Sequence, residues 1–195
     1  QVPESYKGSL DNYFIELGLN KNNFFTDISN YLSYETGQPT HCYDANRMAG
    51  KLLFQETSKN EIFETLLDKK INLTNKNAVF SLNNKVINLA GIIGGKDTSC
   101  TANTKTVLVE CAFFQPEAII GKSIKYDIQS DASHKFERGV DPKCQDMVLR
   151  RLINIVSQHA NIKNMSMISY NFKDNPSIKI PINIHKINKI IGINI

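Results

Sequence analysis

Ala78-Val79-Phe80-Ser81-Leu82-Asn83-Asn84-Lys85-Val86-Ile87-Asn88-Leu89-Ala90 is the stretch from which the fold is read. Two runs rich in apolar side chains flank an Asn-Asn pair, and asparagine tolerates the left-handed backbone of a tight hairpin turn. The segment predicts antiparallel sheet. Outward from it, Leu52-Leu53-Phe54, Ile62-Phe63 and Val107-Leu108-Val109-Glu110 are further short strand candidates. Helical periodicity brackets them. An amphipathic segment over residues 10–19 breaks at Gly18, and a second over 25–35 has Asp27 or Thr26 to cap it and Gly37 and Pro39 to stop it. Pro116 opens a short helix ended by Gly121. Asp141 followed by Pro142 predicts the start of another, in which Val148, Leu152, Ile155, Val156 and His159 share a face. Two last strands are expected over 166–172 and 178–184. The fold class is α+β, an antiparallel barrel-like sheet flanked by helices.

A chain of 195 residues can bury one core with an appendage. The start at Gln1 and the end within Ile190-Ile191-Gly192-Ile193 read as a piece cut from a longer protein. The net charge of +4 is spread along the length, which suits a polyanionic partner without demanding one. Cys42, Cys100, Cys111 and Cys144 form no C-x-x-C pair, so neither a metal site nor a disulfide framework is indicated. No run reaches membrane-spanning length, and a cytoplasmic setting is the expectation. Gly91, Gly94 and Gly95 do not make a nucleotide loop, since Ala90 and Asp97 stand where the motif needs Gly and Ser or Thr. Glycines there serve close backbone approach or a tight bend.

The densest chemistry lies in Ser130-Asp131-Ala132-Ser133-His134-Lys135-Phe136-Glu137-Arg138-Gly139-Val140-Asp141-Pro142. Its charged residues read mainly as scaffold, with Arg138 pairing Asp131, Glu137 or Asp141. Upstream stand Gly37-Gln38-Pro39-Thr40-His41-Cys42-Tyr43-Asp44, Leu89-Ala90-Gly91-Ile92-Ile93-Gly94-Gly95, and Val107 through Phe114. In that order these four blocks resemble the editing domain of the bacterial phenylalanyl-tRNA synthetase beta subunit, over roughly residues 18 to 170.

The resemblance implies a hydrolytic site that removes tyrosine from mischarged phenylalanine tRNA. Glu110 would recognise the phenolic hydroxyl; without the resemblance it reads as a strand-end glutamate, solvated or paired with Arg138 or a lysine. His41, projected by the turn at Pro39, would position or deprotonate the attacking water, with positioning favoured. Ser29 and Asn30 would line the pocket, Gly94 would belong to one wall, Ser130 would stand for the usual threonine, and Ala132 would leave room for the ring. Asn20 replaces a common arginine, so an editing-deficient structural and tRNA-interaction module is the alternative. Also implied are a parent ligase using ATP and magnesium, no cofactor in this segment, an alpha-subunit partner in a hetero-oligomer, residues 1–174 as the editing domain, and 175–195 as the start of the next.

Overall fold

The computed structural model describes residue 3, residues 5–170 and residues 178–195. They fall into two compact units, Gln1–Met165 and Ser166–Ile195. The first begins with α1 (Gly8–Glu16) and α2 (Phe24–Thr36). Asn23 caps α2, its side chain accepting from Thr26 N–H, where the sequence suggested Thr26 or Asp27. Asp27 is instead fully buried and accepts from the Tyr6 hydroxyl and Asn22 N–H. Gly37 ends the helix in the left-handed conformation, at φ 75°.

Among the described residues eight strands follow: β1 (His41–Asp44), β2 (Leu52–Glu56), β3 (Glu61–Glu64), β4 (Lys70–Leu73), β5 (Ala78–Leu82), β6 (Lys85–Leu89), β7 (Ile93–Gly94) and β8 (Val107–Glu110). The quoted hairpin is β5–β6, and Asn83 and Asn84 both take positive φ, at 50° and 67°. All pairings are antiparallel, but the barrel expectation is not met. The strands among the described residues form a four-stranded sheet in the order β2-β5-β6-β7 and two separate two-stranded ribbons, β3-β4 and β1-β8. Closure requires one continuous ring of paired strands; here isolated bridges, Tyr43 to Ser99 and Thr65 to Gly95, join what ladders do not.

Four helices complete the unit: α3 (Pro116–Ile119), α4 (Lys122–Tyr126), α5 (Asp131–Phe136) and α6 (Gln145–His159). The last starts later than Asp141-Pro142 predicted. Asp141 accepts from Lys143 N–H in a preceding turn, and Cys144 is the residue before the helix. Two apolar cores result. One gathers Leu10, Phe14, Ile28, Leu32, Val148 and Leu152 from α1, α2 and α6, with Cys42, Val107 and Val109 from the β1-β8 ribbon. The other gathers Phe63, Leu73, Val79, Leu89, Phe114, Ile119 and Phe136 from sheet and short helices.

The second unit carries α7 (Ile184–Ile191), which begins where the strand expected over 178–184 would end. Residues 166–170 and 178–183 are not strand; residues 171 and 172 of the other expected strand lie outside the described residues. Isoleucines at 184, 187, 190 and 191 follow helical spacing, which prevails over their β preference.

Candidate active site on the two-faced ribbon

Strand side chains alternate, so the β1-β8 register of His41 with Glu110 and Tyr43 with Leu108 puts these four on one face. Cys42, Val107 and Val109 point the other way, into the helical core. The His41 and Tyr43 rings meet edge-on with centroids 4.4 Å apart. The Tyr43 hydroxyl donates to Glu110 Oε2 at 2.6 Å, and Asn88 Nδ2 on β6 donates to that hydroxyl at 2.7 Å. Asn88 Nδ2 also lies 3.4 Å from Oε2. Among the described residues, no donor reaches Glu110 Oε1. His41 Nε2 is buried and likewise has no hydrogen-bond partner.

Gly94 faces the imidazole at the closest range. A Cβ there would lie 2.6 Å from His41 Nε2, below any real contact, so glycine is what lets β7 approach the ring.

Enclosure governs ionisation. Burial pushes the Glu110 carboxyl up to about 7, against the opposing effect of the Tyr43 hydrogen bond. Burial alone brings His41 down to about 4, which leaves it neutral at neutral pH. The Tyr43 phenol is held well above its ordinary value by burial and then by neighbouring Glu110. Glu110 and His41 are only partly buried as whole residues; the shifts follow their polar ends, which the protein surrounds.

The remaining candidates hold the backbone around this face. Ser29 Oγ donates to the Thr40 carbonyl at 2.6 Å, fixing the residue before His41. Pro39 is buried, and its carbonyl accepts from Gln38 Nε2, which also reaches the Ala112 carbonyl at 2.9 Å beyond β8. Ser130 Oγ caps α5 by accepting from Ser133 N–H and donates to the Ile92 carbonyl at 2.6 Å, anchoring the chain that enters β7. Ala132 packs on the sheet-side core. Asn30 is exposed on α2. Scaffold contacts do the rest: Lys135 reaches Ser33 and Asp131, and Arg138 pairs with Glu137. Among the described residues, no group of three or more His, Cys, Asp or Glu is placed to hold a metal ion, and no helix is long and apolar enough to cross a membrane.

Two members of the cluster escaped the sequence reading, Tyr43 and Asn88. Asn88 carried a signal, a lone amide inside an apolar strand that burial obliges to find partners. Tyr43 would have been found once residues 41–44 were read as a strand.

A family model described as the B3/4 domain matches residues 5–161. The chain is 33% identical over 181 residues to the phenylalanine–tRNA ligase beta subunit of Francisella tularensis, covering 91% of this chain and 23% of that protein. It is 31% identical over 183 residues to the beta subunit of Psychrobacter arcticus, covering 93% and 23%, and 38% identical over 135 residues to that of Ehrlichia canis, covering 69% and 17%. The chain thus spans under a quarter of the length of these relatives. With the match running through both cores and the ribbon, the chain belongs to the B3/4 domain family, in the branch carried by bacterial phenylalanine–tRNA ligase beta subunits.

Proposed function

We propose that this domain hydrolyses tyrosine esterified to phenylalanine tRNA. The observation that carries the reading is a carboxyl group with one oxygen unengaged, on the same ribbon face as a neutral imidazole with an unengaged nitrogen. Glu110 Oε1 accepts the phenolic hydroxyl of the tyrosyl group. Phenylalanine brings no hydroxyl and leaves that oxygen without a donor, a mismatch that sites built for a hydroxyl convert into discrimination of up to about 10⁴-fold. His41, as a neutral imidazole, accepts from the attacking water and aims it at the ester carbonyl. The water oxygen bonds to the carbonyl carbon and the carbon–oxygen bond to the ribose breaks; one water proton goes to the ribose oxygen, the other to solvent, and tyrosine leaves as its carboxylate. A base titrating near 4 removes little proton charge in the transition state at neutral pH, so His41 orients rather than deprotonates.

The parent assembly is a ligase that charges phenylalanine with ATP and magnesium in an alpha-subunit partner, in the cytoplasm. Residues 1–174 form its hydrolytic domain and 175–195 begin the next. Exposed Asn20 in place of the usual arginine favours a second reading, a structural and tRNA-interaction module that no longer edits. The deciding experiment is deacylation of tyrosyl- and phenylalanyl-tRNA by the intact synthetase. Rapid loss of tyrosine only, abolished by Glu110→Ala, is expected. Tyrosyl-tRNA as stable with enzyme as without it would leave the second reading.

A further inference from the structure

Glu110 already holds a phenol, that of the protein's own Tyr43. The arrangement has a direction. The Asn88 amide nitrogen is a donor only, so the Tyr43 oxygen accepts from it and must send its single proton onward to Glu110 Oε2. Tyr43 is 1% exposed and Asn88 3%, so neither has water as an alternative partner. Tyr43 also abuts the His41 ring, and its own position is fixed by the β1-β8 ladder and the bridge to Ser99.

From this geometry we infer that Tyr43 and Asn88 are positioning residues for specificity: the Asn88→Tyr43→Glu110 relay occupies one carboxyl oxygen so that the other presents a single acceptor to the substrate hydroxyl. The inference rests on the editing reading above and deepens it. A carboxyl group free to rotate would offer either oxygen in many directions; one pinned by a short bond at Oε2 offers Oε1 in one. The relay also bears on charge. A hydrogen bond donated to the carboxylate favours its ionised form, and this bond opposes the burial that would keep Glu110 protonated. The other titratable groups close to Glu110 are His41 and Cys42 of β1 and Cys111 just past β8; β6 and β7 contribute Asn88 and Gly94, which do not titrate.

The test uses the intact synthetase with Tyr43→Phe, Asn88→Ala and the double variant, reading deacylation of tyrosyl- and phenylalanyl-tRNA from pH 5.5 to 9. Tyr43→Phe is expected to lower the tyrosyl preference at least 10-fold, chiefly through KM for tyrosyl-tRNA. It should also move the midpoint of the pH dependence of that preference upward. Asn88→Ala should give a smaller loss in the same direction, and the double variant should lose no less than Tyr43→Phe and less than the sum of the two, because Asn88 acts chiefly through Tyr43 and only by a long bond on Glu110 directly. Thermal melting accompanies each variant, and if Tyr43→Phe were to unfold, Asn88→Ala carries the test alone. A preference within twofold of the parent together with an unmoved pH midpoint in folded Tyr43→Phe, or in Asn88→Ala if only that variant folds, would overturn the relay. Were Glu110→Ala itself to keep the preference, the editing reading would fall instead, which separates the two failures.

Discussion

His41 and Gly94 are a matched pair at the level of single atoms. Gly94→Ala puts a methyl group where the imidazole now lies, so the ring must swing away. Deacylation should fall at least 10-fold, with a stability cost of about 1–3 kcal/mol from overpacking, read by initial rates and by urea unfolding. Glu110 and His41 also impose opposite pH dependences on stability. Glu110 titrates higher folded than unfolded, so its favourable contribution is complete below about 4.5 and is lost as pH climbs to about 7. His41 titrates lower folded, so its contribution is complete above about 6.5 and is lost as pH falls towards 4. The two largely cancel between 4.5 and 6.5. Glu110→Gln removes only the first, so the variant should be close to the parent at pH 5 and about 1–3 kcal/mol more stable at pH 8 by urea midpoints. A rate inflection near neutrality should survive His41→Ala and vanish in Glu110→Gln. If instead it disappears with His41, the imidazole is the base.

Among elements, α5 shows how a short helix is made useful. Ser130 caps it and also grips the Ile92 carbonyl, so Ser130→Ala removes two bonds and should cost about 1–2 kcal/mol, while Ser130→Thr keeps the hydroxyl and should stay near the parent on thermal melting. The hairpin of β5 and β6 was legible because Asn83-Asn84 names its own turn, and the stop of α2 was legible because Gly37 is needed at positive φ. Other starts were not. Asn23 and Asp27 are both good caps in isolation, and only the tertiary demand of Tyr6 for an acceptor decides which does the capping. The strand β1 was hidden because His41-Cys42-Tyr43-Asp44 alternates two partly polar faces, one of which finds its company on β6 and β7, far away in sequence. For the same reason Glu110 and His41 could be nominated singly, whereas the Tyr43-Asn88 contact that joins them to the sheet depends on packing between separate ladders.

On the scale of the whole first unit, the β1-β8 ribbon gives one face to the helical core and carries the candidate site on the other, where the Tyr43–Asn88 hydrogen bond joins it to β6. Leu32→Ala in the helical core and Leu73→Ala in the sheet-side core should each cost about 2–5 kcal/mol. Since the Tyr43–Asn88 hydrogen bond ties the ribbon on the helical core to the sheet, far-UV circular dichroism and tyrosine fluorescence should report one coincident transition in either variant; separate midpoints would mean that the halves melt independently. The ribbon also carries an arithmetic that governs how such a chain can diverge. Adding or removing one residue inside β1 or β8 reverses the parity of every position beyond it, sending imidazole or carboxyl into grease and thiol or valine onto the candidate-site face. Length added to the intervening loops leaves that parity alone, but an odd-numbered indel within the ribbon erases chemistry and stability in a single step.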